Sequence, residues 1–245
     1  MTEDEHMVSR YSKTPNYYQI KISLVDSPLP IWRRLIIDPT LPLSLVHEIL
    51  QISMGWWSTH LYEFKSKSTR YGSLRDAENA KGLNDADQTI LSEVLKKAGE
   101  TLSYHYDFGD DWMHTIVLEK IIKAEGKERF SAFCSHGKRA CPPEDCGGVK
   151  GYADLLEAIE DPCHSGHQES KAWVGDSYDP NAFDQRTVNL RLELLDEEID
   201  AELDEVVEMA RASQALIESE ELSKPKQSSK KSTAASAPKG KSTKK

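Results

Sequence analysis

Between Thr101 and Glu119 the sequence TLSYHYDFGDDWMHTIVLE alternates apolar and polar residues on both sides of a short acidic turn. Alternation places Leu102, Tyr104 and Tyr106 on one face of a first strand, and Trp112, His114, Ile116 and Leu118 on one face of a second. Opposed residues of an antiparallel pair share a face. The apolar sets therefore coincide only if Tyr106 faces Trp112, Tyr104 faces His114 and Leu102 faces Ile116. The connection must then hold an odd number of residues. A two-residue Phe108-Gly109 turn is excluded, because it would oppose Tyr106 to Asp111 and turn Trp112 to the polar side. Asp107, Asp110 and Asp111 consequently crowd the tip of the predicted hairpin, with two aromatics just behind them.

The same patterning organises the rest of the chain. Residues 1 to 16 read as disordered, and Tyr17 to Asp26 alternates as a first strand, broken by Pro28 and Pro30. Ile31 to Ile37 is its predicted partner, ended by Pro39 and Pro42. Leu43, Val46, Ile49, Leu50 and Met54 recur at helical spacing, with Ser44 as N-cap and Gly55 as stop. His60 to Lys65 reads as a third strand, and 66 to 88 as a long loop with a short edge strand near Tyr71. A brief helix over Ile90 to Lys97 leads into the hairpin, whose second strand extends to Lys123. A connector then reaches Cys134 and the loop CSHGKRACPPEDCGGVKGY. Tyr152 to Ile159 and His164 to Val174 are helical. From Gln185, the series Val188, Leu192, Leu195, Ile199, Leu203, Val206 and Ala210 predicts one long helix, acidic outside and fraying near Glu221. The expected fold is α+β, a mixed and mainly antiparallel sheet with helices packed on it. The predicted organisation is a domain over 17–195, an acidic helical extension over 196–221 and a disordered Lys-rich tail over 222–245.

Composition refines this picture in two respects. The formal net charge is −10, but Lys224 to Lys245 contain eight lysines and no acid, so the remainder carries 23 basic against 41 acidic residues. An acidic body excludes nucleic-acid binding over a broad face, whereas the tail at 224–245 suits a weak, salt-dependent and sequence-blind contact. The absence of a long apolar run or a leader-like N-terminus predicts a cytoplasmic protein with no membrane association. Four cysteines confined to residues 134–163 do not make a disulfide framework. Nor do Cys134, His136, Cys141, Cys146, Cys163, His164 and His167 follow the close spacing of zinc knuckles, and free thiols are expected.

The candidate chemistry lies at the hairpin tip. Asp107, Asp110 and Asp111, with His114 behind them, are ligand types for Mg, Mn or Zn. Turn chemistry alone also explains them, since Asp side chains bond nearby backbone N–H groups. Gly147-Gly148 in the CPPEDCGG loop lack the lysine and spacing of a phosphate cradle, and Glu144 and Asp145 would repel phosphate; a helix cap is the better explanation. Trp56, Trp57 and His60 sit at a helix-to-strand junction, where paired aromatics form core or the wall of a groove.

Four blocks, in order, carry a resemblance: Gly55, Trp56, His60, Leu61 and Phe64; the run YDFGDDWMH from Tyr106 to His114; ACPPEDCGGVKGY from Ala140 to Tyr152; and Phe183, Asp184 and Asn189. Together they resemble the Ri-plasmid (pRiA4b) third-open-reading-frame-like family, which includes passenger proteins of insertion elements and plasmids. The resemblance implies a single α+β domain over about 17–195 and names no reaction. The leading expectation is an accessory binding domain of mobile-element origin. Its groove, between the tip and the CPPED loop, is lined by His60, Tyr106, Asp107, Asp110, Asp111 and Trp112, and suits an unidentified protein or a cationic ligand. The alternative is a metal-dependent hydrolase, with Asp107, Asp110, Asp111 and His114 holding a divalent ion and Glu144 or Asp145 as general base.

Overall fold

In the computed structural model the described residues are 16–75, 80–123 and 130–223, with side chains given up to Ser213 except for Leu203. The expectations for the N-terminal residues up to 15 and for the tail at 224–245 lie outside them. The chain divides into two compact units, residues 1–198 and 199–245.

The first unit is built on one eight-stranded sheet. Its strands are β1 (Asn16–Leu24), β2 (Trp32–Ile37), β3 (Tyr62–Ser66), β4 (Thr69–Gly72), β5 (Leu83–Asp85), β6 (Thr101–Tyr106), β7 (Trp112–Lys123) and β8 (Ala132–Lys138). Their order is β5-β4-β3-β6-β7-β1-β2-β8, antiparallel throughout except for the parallel β4–β5 pair. The central β6–β7 hairpin has the register that alternation demands, with Tyr106 opposite Trp112, Tyr104 opposite His114 and Leu102 opposite Ile116. Five residues, Asp107 to Asp111, make the turn. The fold is thus the expected α+β arrangement around a mixed, mainly antiparallel sheet, with a long C-terminal helix.

One face of this sheet carries the core. Ile20, Ile22, Leu35, Ile37, Phe64, Leu102, Tyr104, Ile116 and Leu118 are essentially inaccessible there. Helix α1 (Leu43–Met54) contributes Leu43, Val46, Ile49 and Leu50 to the same cluster, α3 (Gly148–Glu160) adds Tyr152 and Leu155, and the start of α5 (Gln185–Ser223) adds Val188 and Leu192. Burying such side chains contributes roughly 1.5–3 kcal/mol each. Two short helices, α2 (Leu91–Val94) and α4 (His167–Val174), complete the set.

Several boundaries differ from the sequence reading, each for a physical reason. Pro42 rather than Ser44 is the N-cap of α1, and no side chain bonds there. The orphan N–H groups of Leu43 and Ser44 instead donate to the carbonyls of Thr89 and Ala86, so the 86–89 backbone caps the helix. The end of the expected connector and the start of the loop expected from Cys134 form β8, paired with β2. The region expected as a loop from 66 to 88 contains β5 as well as β4.

Strand β8 is the sheet edge, and α5 closes it with side chains. Asn189 accepts a hydrogen bond from the Cys134 N–H at 2.8 Å and donates to the Cys134 carbonyl at 3.1 Å. Gln185 donates to the same carbonyl at 2.9 Å, and Asp196 accepts from the Ser131 N–H at 3.0 Å. Asp184 caps the first turn of α5 by accepting from the N–H groups of Arg186 and Thr187. Phe183 lies over Gly137, where an added Cβ would come within 2.4 Å of its ring, and its face receives the Arg33 guanidinium at 4.3 Å. Arg33 is 2% exposed, and among the described residues no carboxylate forms an ion pair with it. It donates to the carbonyls of Trp32, Lys138, Ser53 and Met54, the last two at the C-terminal end of α1 where the helix dipole favours a cation. The Phe183, Asp184 and Asn189 block therefore has a structural role.

The second unit is described as helix to Ser223, with Val206 and Met209 exposed. Among the described residues no helix is long and apolar enough to cross a membrane.

Candidate functional site

The hairpin tip is shaped by two aspartates with left-handed backbone, Asp107 (φ 55°) and Asp111 (φ 58°). Asp tolerates this conformation better than most residues. The Asp111 N–H donates to the Asp107 carbonyl at 2.7 Å, and the Gly109 N–H donates to Asp107 Oδ1 at 2.9 Å. The Asp107 N–H reaches the Leu61 carbonyl, which ties the tip to the approach of β3 and brings His60 alongside.

The CPPEDCGG loop docks directly on this tip. Asp110 Oδ2 accepts from the Gly147 N–H at 3.1 Å, placing a carboxylate at the start of α3, where the helix dipole favours it. Gly148 has φ 69°, and a Cβ there would sit 2.3 Å from the Asp110 carbonyl oxygen, so the close approach requires glycine. The Tyr106 hydroxyl donates to Glu144 Oε1 at 3.0 Å and accepts from the Thr59 N–H at 3.3 Å. The same Glu144 oxygen accepts from the Trp57 N–H, while Glu144 Oε2 is buried without a hydrogen-bond partner among the described residues. Trp56 Nε1 donates to the Pro142 carbonyl at 2.9 Å, and its ring packs against Tyr106, Trp112 and His114. Three of the sequence blocks thus interlock at one end of the sheet.

Within this seam, His60 Nε2 lies 3.3 Å from Asp145 Oδ1 and 3.7 Å from Asp107 Oδ2. Among the described residues these three form the group of His, Cys, Asp and Glu whose ligand atoms all lie within 4.8 Å of one another. Their environments are graded: the Asp107 side chain is 8% exposed, His60 31% and Asp145 74%. Exposed Trp57 and Leu61 flank the same segment, and the Arg191 guanidinium lies 5.0 Å over the Trp57 ring.

Of the other expected site residues, Tyr106, Asp110 and Glu144 hold the seam together, whereas Asp111, Trp112 and His114 lie outside the His60 cluster. The set Asp107, Asp110, Asp111 and His114 does not gather into one ligand group among the described residues, where Asp107 groups instead with His60 and Asp145. Asp110 is taken up by the α3 cap. Asp111 Oδ1 lies 2.7 Å from His105 Nε2, on an open cleft of about 490 Å³ that Val25, Met113, Val149 and Lys150 also line. Trp112 and His114 are core residues at 0% and 1% exposure. His114 Nδ1 donates to the Trp112 carbonyl, and burial lowers its pKa to about 3, which keeps the ring neutral.

Sequence reasoning missed a second buried histidine nearby. His47 stacks on Tyr62 at 3.7 Å and accepts from the Tyr104 hydroxyl at 2.7 Å, while Gln51 donates to that hydroxyl at 2.8 Å. Gln51 Nε2 fills an acceptor site of the Tyr104 oxygen, so the hydroxyl proton points at His47 Nδ1. Burial lowers the His47 pKa to about 3. The helical spacing of His47 and Gln51 on the apolar stripe of α1 was the available signal. No disulfide joins the four cysteines, as expected, and burial raises Cys134 to about 11 and Cys146 to about 12, so neither is an activated nucleophile.

An eight-stranded mixed sheet, helices on its core face and two interlocked loops at one end define the class of this protein. The chain belongs to the Plasmid pRiA4b ORF-3-like protein family, whose model matches residues 16–187. It is 38% identical over 173 residues to the uncharacterized protein y4hQ of Sinorhizobium fredii (strain NBRC 101917 / NGR234), covering 70% of this chain and 88% of that one. It also resembles the crystal structure of MM3350, a protein of unknown function from Methanosarcina mazei Go1. That match has a TM-score of 0.65 at 30% identity, and covers 71% of this chain and 97% of the other.

Proposed function

We propose that this protein is an accessory binding domain of mobile-element origin that captures a positively charged group at the seam between the hairpin tip and the CPPEDCGG loop. The observation that carries the reading is the convergence of His60, Asp107 and Asp145 from three separate segments, with two carboxylate oxygens turned toward one imidazole. The exposed Trp57 beside them already receives one cation, from Arg191, and such faces attract ammonium and guanidinium groups. The net acidity of the body supports the same polarity of partner. The plasmid in the family's name supports the mobile-element origin.

The reading is tested with the full chain and a fluorescein-labelled octalysine peptide, followed by anisotropy at two salt concentrations. Binding is expected to weaken with salt and to fall about fivefold in Asp145→Asn, the equivalent of about 1 kcal/mol for one exposed charge. Trp57→Ala is expected to weaken it comparably while leaving the unfolding free energy within about 0.5 kcal/mol. A control variant, Glu202→Gln with Glu205→Gln, alters exposed acids of α5 outside the seam. If the control loses as much affinity as Asp145→Asn, the peptide is responding to overall charge and the assignment of the seam fails.

A further inference from the structure

The separations in the seam are informative about which cation fits. His60 Nε2 is 3.3 Å from one carboxylate oxygen and 3.7 Å from the other, yet none of the three atoms is hydrogen-bonded to another. One imidazole nitrogen carries at most one proton, and so cannot satisfy two carboxylates by donation. Ligand atoms bound at 2.0–2.2 Å around a tetrahedral ion stand about 3.3–3.6 Å apart. The two separations from His60 are close to such an edge, and the two carboxylate oxygens lie within 4.8 Å of each other.

An independent observation comes from Asp107. The residue is 6% exposed, its Oδ1 is held by the Gly109 N–H, and its Oδ2 points at His60 with no hydrogen bond from any described residue. The Asp107 side chain is 8% exposed, so its charge is largely withdrawn from water and gains from a cation placed beside Oδ2. The Asp107 backbone is fixed on both sides, by its N–H to Leu61 and its carbonyl from Asp111, so the oxygen cannot turn away without breaking the tip.

We infer that His60 Nε2, Asp107 Oδ2 and Asp145 Oδ1 form a binding site for a divalent transition ion of the zinc type. This rests on the reading of the seam as a cation site and names the cation. One imidazole with two carboxylates favours such an ion over magnesium, which prefers an all-oxygen shell and sheds water reluctantly. Three protein ligands leave a coordination position open to solvent on the side of Asp145. Asp107 is the fixed ligand, whereas exposed Asp145 can rotate to close the shell.

The test is isothermal titration of the EDTA-treated full chain with zinc chloride and, separately, magnesium chloride. Cobalt titration, followed by visible absorption, reports the coordination geometry. One equivalent of zinc is expected to bind at least tenfold more tightly than magnesium. His60→Gln and Asp145→Asn should each weaken zinc at least tenfold without changing the unfolding midpoint, because both side chains are substantially exposed. Glu202→Gln with Glu205→Gln alters exposed carboxylates of α5 that are not in the ligand set, and should leave zinc binding unchanged. Cys163→Ser with His164→Gln removes the exposed thiol and imidazole beyond α3, and should likewise have no effect. Absence of a one-to-one zinc site, or its loss in the Cys163/His164 variant with retention in His60→Gln, overturns the inference. Octalysine separates the two levels of failure. If zinc does not bind but octalysine binding still depends on Asp145, the seam reading stands without the metal. If neither depends on Asp145, both fall.

Discussion

Substitution of Asn189 by alanine tests how the edge of the sheet is held. The side-chain amide of Asn189 accepts from the Cys134 N–H at 2.8 Å and donates to its carbonyl at 3.1 Å, and Cys134 is fully buried. Removing it abolishes two hydrogen bonds worth about 1 kcal/mol each and leaves a buried N–H without an acceptor, at a cost of about 1–3 kcal/mol. Against this, alanine gains about 0.5 kcal/mol of helix propensity over asparagine in α5. The Cys134 carbonyl keeps Gln185 as donor, which limits the loss on that side. The net expectation is a destabilisation of about 2 kcal/mol, or about 4–8 °C in the melting temperature for a body of this size. Gln185→Ala removes a single redundant donor to the same carbonyl and should cost about 0.5–1 kcal/mol. Urea unfolding of both variants, with amide exchange at Cys134, measures the difference. If Asn189→Ala lies within about 0.5 kcal/mol of the native chain, or Cys134 keeps its exchange protection, the account of the edge is wrong.

Two further outcomes follow from buried groups and close contacts. His47 and His114 are held neutral with pKa values lowered to about 3, whereas in the unfolded chain they titrate near 6.5. Between these values the unfolded state binds more protons, so stability is full above pH 6.5 and falls as the pH drops toward 3. At pH 5 the two together should cost about 4 kcal/mol relative to pH 7.5, measured by urea unfolding, and equal stability at the two pH values would refute it. Gly148→Ala would drive a methyl group to 2.3 Å from the Asp110 carbonyl oxygen at a backbone φ of 69°. It should lower stability by about 3 kcal/mol or more in a thermal melt, and a neutral effect would mean that the loop does not press on the tip.

The parts of this fold legible from sequence were those governed by local periodicity. The hairpin register followed from matching two apolar faces, because a shift of one residue would have turned Trp112 and His114 outward. Strand β8 was not legible. It contributes only Ala132 and Cys134 to the core, and a glycine and a histidine interrupt its alternation. The cap of α1 was misread because its partners, Ala86 and Thr89, are more than forty residues away and bond through their backbone. At the site, His60, Asp107 and Asp145 were all among the candidate residues, but nothing in their spacing grouped them. What groups them is the left-handed turn at Asp107 and the docking of the CPPEDCGG loop, both tertiary facts. Asp110 and Asp111 differ from Asp107 only in direction, which composition cannot encode.

The side-chain closure of β8 bears on where this chain can be shortened. Cutting before Gln185 would strip three polar anchors from the outermost strand and leave its unpaired amides open to whatever extended backbone drifts past. Fragments ending there should self-associate through strand addition, whereas fragments that end after Asp196 keep the seal intact. The beginning of the long helix is in this sense a bolt on the sheet, and a shortened chain that lacks it would report on clumping instead of on the native domain.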